Sequence, residues 1–201
     1  MINKQEQRAA IAKADEVNDR YALAYLSGGD PFKPANFILE SCRPFIQLGE
    51  VTIKESAISW EKSAVWSASI MSEGHTDVLL ACGLNYCWQN YTVTKELFHI
   101  LIDTEDSRDM NLSRTTMIES LGAPFDSNKP HYFPAAAELQ AEIAAMEFLF
   151  PYVNRQAIVQ LPTTRDFSNV AKQYMIPRLM VEKYLSQVFL DELRDVSRCN
   201  R

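Results

Sequence analysis

The chain has 201 residues, 47% of them hydrophobic, which is enough for one domain with a substantial core. Its formal net charge of −6 argues against direct binding of nucleic acid, because such binding needs a basic surface to displace counterions from phosphates. No apolar run approaches the roughly 20 residues that span a bilayer, and the polar N-terminus lacks a signal segment, so we expect a cytoplasmic protein with no membrane partner.

The first elements along the chain are predicted from hydrophobic spacing. Apolar residues recur at helical intervals from Lys4 to Leu26, and Pro34 to Cys42 favours a second helix. The tract from Ile46 to Ile58 is ambiguous between strand and loop. Trp66 to Ile70 alternates apolar residues with serines, as a half-exposed strand does. Asp77 to Cys82 is apolar without alternation, which is typical of a strand covered on both faces.

The later elements are mainly helical. A turn over residues 72–75 joins the two strands into a hairpin, with His75 at its tip, and the hairpin leads directly into a helix. Prolines interrupt the segment from Asp103 to Ala137, which carries one predicted short helix near Leu112–Leu121 and a loop histidine, His131. This order predicts a predominantly helical α+β fold with a small sheet or hairpin packed on helices.

Residues 91–99, YTVTKELFH, match the zinc-protease motif HExxH except that Lys95 stands in the place of the first histidine. In HExxH the two histidines bind Zn²⁺, and the glutamate between them acts as general base on a metal-bound water. Glu96 and His99 occupy the positions of that glutamate and of the second histidine. Lys95 keeps its proton at neutral pH and offers no lone pair unless burial strongly lowers its pKa. The motif therefore predicts a dismantled metal site.

The flanking residues resemble the ImmA/IrrE family of metallopeptidases. Residues 88–96, WQNYTVTKE, are similar to the family's RQRFTLAHE, and residues 138–151, ELQAEIAAMEFLFP, are similar to its second signature, ExEANxFAAELLMP. Residues 169–185 are similar to its closing helix pair. The resemblance departs from the family where Trp88 and Asn90 replace the two arginines that precede the zinc helix.

The resemblance implies one compact zincin-like domain over residues 1–201. A metallopeptidase-like core spans residues 61–151, between an N-terminal helical part (1–60) and C-terminal closing helices (152–201). In the family, the second signature supplies an acidic zinc ligand. Glu138 is the best positional match for this ligand, and Glu142 is the alternative.

Only His99 and one of these carboxylates remain as ligands, whereas a catalytic zinc site needs three. We therefore expect a site without a cofactor. In it, Lys95 replaces the metal electrostatically by pairing with Glu138 or Glu142, and with Glu96 as a further partner. The simpler alternative is that Lys95 and Glu96 lie on a solvated helix face.

Active members of the family cleave helix-turn-helix repressors and so switch on mobile-element or stress genes. The resemblance thus implies a non-catalytic regulatory protein, a pseudopeptidase, that binds a repressor-like partner without cutting it. An active zinc peptidase stays open as an alternative. In that case Glu96 is the base, His99 and Glu138 are ligands, and His131 or a cysteine completes the ligand set.

A DNA-associated module is the second alternative, because the C-terminal residues have helix-turn-helix-like spacing. Its phosphate contacts are predicted to be Arg165, Lys172, Arg178 and Lys183. The same helices can instead merely close the core, and we favour this interpretation because the chain is acidic. It predicts that five apolar side chains face inward: Val170, Tyr174, Leu179, Val181 and Leu185.

Overall fold

The computed structural model of the chain describes residues 2–25, 31–46, 49–59, 67–72, 74–103, 133–160 and 166–197. Its helices are α1 (Lys4–Tyr25), α2 (Ala35–Cys42), a 3₁₀ turn (Arg43–Phe45), α3 (Tyr86–Ile102), α4 (Phe133–Leu149), α5 (Tyr152–Gln160), α6 (Phe167–Tyr174), α7 (Arg178–Tyr184) and α8 (Gln187–Ser197). Its strands are β1 (Glu50–Ser59), β2 (Ser67–Ser72) and β3 (His75–Cys82). The predicted α+β class, mainly helical with a small sheet, is confirmed.

Helix α4 lies at the centre of the core, where it contacts both α1 and α3. It is apolar on most of its sides, and a helix of that kind must be covered all round. Its most deeply buried side chains are Ala141, Ile143, Ala144, Ala145, Met146, Phe148 and Leu149. Because α3 carries the HExxH-like motif and α4 the second signature, this packing brings the two motifs together.

Helix α1 covers a second side of α4 with one apolar stripe. Ile11, Ala14, Val17 and Tyr21 are buried, as the helical spacing predicts. Tyr21 meets Phe148 of α4 edge to face, with ring centroids 5.7 Å apart. The N-terminal helix is therefore part of the same core as the two motifs.

The sheet has the order β1-β3-β2, with β1 parallel and β2 antiparallel to β3. The ambiguous tract from Ile46 to Ile58 thus supplies most of a strand. Its start depends on a close backbone approach, because the Glu50 amide donates to the Gly74 carbonyl at 3.1 Å. Gly49 just before it has φ 88°, and a Cβ there would overlap the Gly74 carbonyl. Only glycine meets both conditions without strain.

The hairpin of β2 and β3 is present, but two details of its prediction are wrong. Strand β3 alternates in burial, with Thr76, Val78 and Leu80 facing the core and the residues between them half-buried, so it is not covered on both faces. His75 is not at the tip of the turn. It is the first residue of β3 and pairs with Ser72 of β2.

The C-terminal helices close the core against α1. The hydroxyl of Tyr152 in α5 donates to the Leu190 carbonyl of α8 at 3.1 Å, and Gln7 of α1 donates to Glu192 at 2.8 Å. Of the five side chains expected to face inward, Tyr174, Val181 and Leu185 are buried and Val170 is half-buried. Leu179 is 61% exposed, so that part of the prediction is wrong.

Two sequence predictions lie outside the described residues, namely the short helix near Leu112–Leu121 and the position of His131. Most of the long segment from Asp103 to Ala137 lies outside them as well. Among the helices that are described, none is both long enough and apolar enough to cross a membrane.

An ion pair at the C-terminal end of α4 is buried. Arg155 is 0% and Glu147 8% exposed, and the guanidinium contacts the carboxylate. The other oxygen of Glu147 accepts a hydrogen bond from the Tyr152 amide at 2.9 Å. This pair joins α4 to α5 across the proline that separates them.

We expect Arg155→Ala to lower the free energy of unfolding by about 3–5 kcal/mol, because Glu147 would be left as a buried charge without its cation. The matched control is Arg178→Ala, which removes an exposed ion pair with Glu182 and should change stability by about 0.5 kcal/mol or less. Urea unfolding of both variants measures the difference. Equal effects of the two substitutions would contradict this account of the buried pair.

Candidate functional site

Helix α3 begins immediately after the sheet, and this fixes where its motif lies. Gly83, with φ 81°, turns the chain out of β3. The Asn85 side chain then caps the helix by accepting from the Trp88 amide at 3.2 Å. The motif follows after two helical turns and faces both α4 and β2.

Lys95 points into the protein. Its side chain is 17% exposed, and Nζ lies 2.7 Å from Oε2 of Glu138 and 3.7 Å from Oε1 of Glu96. The expected pairing with Glu138 is therefore present, and the solvated-face alternative does not describe Lys95. Burial alone would lower the pKa of Lys95, but the charges of Glu138 and Glu96 outweigh burial and raise it. Lys95 is thus an ammonium ion with no lone pair for a metal.

His99 lies between two carboxylates. Its Nδ1 is 3.1 Å from Oδ2 of Asp103, and its Nε2 is 3.1 Å from Oε1 of Glu138. The second contact is an ion pair and not a well-aligned hydrogen bond. Burial lowers the pKa of His99, but Asp103 and Glu138 outweigh it and raise the pKa to about 10. Both ring nitrogens consequently carry protons at neutral pH.

Glu138 joins these two cations, one on each carboxylate oxygen. Burial would raise its pKa, but the close contact with His99 and the positive charges of Lys95 and His99 lower the pKa to about 2. The motifs pointed to Glu138, Lys95 and His99, and the structure brings all three together. Asp103, the residue after α3, was not predicted, because nothing in the motif assigns it a role.

The closest contacts of Glu96 come from a strand, and the Lys95 ammonium is more distant at 3.7 Å. Ser67 Oγ donates to its Oε1 at 2.6 Å, and Ser69 Oγ donates to its Oε2 at 2.7 Å. Sequence reasoning treated these serines only as part of a half-exposed strand. In the structure they face α3, whereas Ala68 between them is exposed and Ile70 beyond them is 55% exposed. The signal in the sequence was two hydroxyls at a spacing of two, which places them on one face of a strand.

Glu142, the alternative partner of Lys95, makes its close contacts elsewhere. It accepts from Lys183 Nζ at 2.5 Å and from the Tyr184 hydroxyl at 2.9 Å. These contacts fasten α4 to α7. Glu142 therefore belongs to the junction with the closing helices, one helical turn away from the Lys95 pair.

Three of the four predicted phosphate contacts lie within the described residues, and two of these three are paired with carboxylates of the protein. Lys183 is paired with Glu142, and Arg178 is paired with Glu182 at 2.6 Å. Lys172 is exposed, and Arg165 lies outside the described residues. Two of the three described cations thus have acidic partners within the protein.

The donor set at the motif does not fit Zn²⁺. Lys95 offers no lone pair, and His99 would have to give up a proton held between Asp103 and Glu138 before it could bind a metal. Over the described ranges, no group of three or more His, Cys, Asp or Glu side chains is arranged to hold a metal ion. His131, the proposed completing ligand, is outside those ranges.

No family model matches the chain, and no curated protein matches it either. The similarity to ImmA/IrrE metallopeptidases accordingly rests on the residues quoted above. The geometry of those residues supports an ion-pair network more than a catalytic centre.

We expect stabilisation by His99 to weaken as the pH rises. The pKa of His99 is raised from 6.5 to about 10 in the folded protein, so folding takes up a proton between these values. Its contribution is complete below about pH 6.5 and declines by about 1 kcal/mol per pH unit up to about pH 10. The difference in unfolding free energy between wild type and His99→Gln, measured in urea across this range, should shrink accordingly.

The prediction compares wild type with His99→Gln because the stability contributed by Lys33 changes with pH in the opposite direction. Its buried ammonium donates to the Phe148 carbonyl and to Asn18 Oδ1. Burial lowers its pKa from 10.5 to about 7 although Glu147 acts to raise it. The contribution of Lys33 to the free energy of unfolding therefore rises from about pH 7 to pH 10.5. In the wild type this rise offsets the falling contribution of His99. A wild-type minus His99→Gln difference that does not vary with pH would contradict the protonated state of His99.

Proposed function

We propose that this chain is a metal-free, zincin-like pseudopeptidase that regulates by binding a protein partner without cleaving it. The observation that carries the proposal is the 2.7 Å contact of Lys95 Nζ with Glu138 Oε2. It joins the residue that replaces a zinc histidine to the residue expected to be the acidic zinc ligand. An ammonium ion there supplies positive charge to the carboxylate but no Lewis-acid centre.

Charge balance supports the same proposal. A zinc ion would bring two positive charges to a pocket lined with carboxylates. Lys95 and protonated His99 together also bring two, and they meet the same carboxylate, Glu138. Loss of a metal from such a pocket would otherwise leave acidic groups to repel one another at low dielectric. The substitution thus provides a way to keep the scaffold stable without zinc.

The state of Glu96 also favours a non-catalytic role. A general base must be within hydrogen-bond reach of the water it activates. Both oxygens of Glu96 already accept hydrogen bonds from Ser67 and Ser69. One acceptor site on each oxygen is therefore occupied, and a water activated by Glu96 would have to share that oxygen with a serine hydroxyl.

The type of partner follows from the resemblance alone. Active ImmA/IrrE-like peptidases act on helix-turn-helix repressors, and a scaffold that has lost its chemistry can still hold such a protein. We therefore propose a repressor-like protein as partner and a cytoplasmic, regulatory role. The charge of −6 and the internal pairing of Arg178 and Lys183 favour contact with the protein over contact with its DNA.

We expect Lys95→His to convert the pocket into a zinc site. The new imidazole would stand four residues before His99, with Glu138 as third ligand. The purified variant should take up one zinc per chain, measured by elemental analysis after dialysis, whereas wild type and the matched Lys95→Met control should take up none. Uptake should increase above neutral pH, because zinc must displace the proton on His99. One zinc per wild-type chain would instead support the active-peptidase alternative.

A repressor-like partner should bind intact. Candidate helix-turn-helix repressors from the same genome can be mixed with the wild-type chain and followed by calorimetry and by intact mass. We expect a complex of unchanged masses, insensitive to chelator and unaffected by Glu96→Gln. Cleavage that Glu96→Gln abolishes would replace the proposal with an active peptidase. A salt-dependent shift of duplex DNA by the chain alone would point to the DNA-associated module.

A further inference from the structure

Strand β2 is short and has limited support from the rest of the sheet. It has six residues and pairs with β3, and among the described strands it forms one edge of the sheet. Its register is antiparallel, with Ser67 opposite Leu80 and Ser69 opposite Val78. A strand of this length at an edge has little stability of its own, so side-chain contacts with a neighbouring element decide how firmly it is held.

Two such contacts converge on one carboxylate. Ser67 and Ser69 stand two residues apart and therefore point to the same face of β2. Their hydroxyls donate to different oxygens of Glu96, at 2.6 and 2.7 Å. Hydrogen bonds to an ionised acceptor are stronger than those between neutral groups. Glu96 is 4% exposed, so water does not compete freely for these bonds.

We propose that the two hydrogen bonds from Ser67 and Ser69 to the carboxylate of Glu96 form a clamp. This clamp holds β2 against α3. The glutamate that serves as general base in HExxH proteins here holds a strand. The inference goes beyond the proposed function because it assigns a role to two residues outside both motifs. It rests on the proposed function only in taking Glu96 to be free of catalytic duty.

Lys95 lies farther from Glu96 than the two serines do. The ammonium of Lys95 is 3.7 Å from Oε1 of Glu96 but 2.7 Å from Glu138, so Glu138 is its main partner. The two serine hydroxyls are consequently the closest partners of Glu96. The clamp should survive when Lys95 is replaced, and the Lys95 pair should survive when the serines are replaced.

Hydrogen–deuterium exchange of the full-length chain tests the clamp at the amides of residues 67–72. We expect Ser67→Ala/Ser69→Ala to accelerate exchange there about tenfold or more, as the loss of two charge-assisted hydrogen bonds implies. Amides of α1 and α4 should change less than about twofold, because global stability is set by the core. Exchange of residues 67–72 at the wild-type rate would overturn the proposal.

Two further variants separate a clamp from a general loss of fit. Ser67→Thr/Ser69→Thr keeps both hydroxyls and should restore slow exchange. Glu96→Ala should accelerate exchange of β2 as the serine pair does, and the triple variant should be no faster than either, because all three changes remove the same link. Additive acceleration, or failure of the threonine pair to restore protection, would overturn the clamp.

Zinc uptake by the Lys95→His variant provides an independent control. The serines hold Glu96, which is not one of the expected ligands, so adding Ser67→Ala/Ser69→Ala to Lys95→His should leave zinc stoichiometry unchanged. Failure of Lys95→His to bind zinc would count against the proposed function, whereas the exchange experiment would still decide the clamp. A loss of zinc binding on adding the serine changes would overturn the assignment of the serines to Glu96 alone.

Discussion

The carboxylate of Glu138 binds a cation on each of its oxygens, and both cations come from the facing helix α3. Buried charges are tolerated only when their partners are close and well placed. The relative position of α3 and α4 therefore depends on this contact as well as on apolar packing. The same contact places the Lys95 ammonium, which has no lone pair, at the position of the first histidine of HExxH.

Helix α4 repeats this arrangement along its length. Each of its three partly or fully buried acidic residues takes a basic partner from a different helix: Glu138 from α3, Glu142 from α7 and Glu147 from α5. Between these residues the helix is apolar and packs against α1 and α3. Apolar burial supplies most of the stabilisation, and the ion pairs specify which helix meets which face.

Local sequence patterns predicted where helices and strands occur better than they predicted which of their side chains are buried. The stripe of Ile11, Ala14, Val17 and Tyr21 and the hairpin before α3 follow from spacing within one segment. The burial of β3 and the exposure of Leu179 were predicted wrongly, because each depends on what packs against the segment from elsewhere in the chain. Strand β1 was ambiguous because it pairs in parallel with a strand more than twenty residues further on.

Local patterns were enough to predict the α+β class, the positions of Lys95, Glu96 and His99 on one helix, and Glu138 and Glu142 as the two candidate partners, since helical periodicity and motif spacing are local properties. Helix packing then selected Glu138 over Glu142 as the partner of Lys95, because the two glutamates lie one turn apart and no local pattern distinguishes them. The fold also brings Ser67 and Ser69 against Glu96, and Asp103 against His99. The sequence around a hydroxyl or a carboxylate does not show which distant group it binds. Only the folded chain brings the two groups within hydrogen-bond distance.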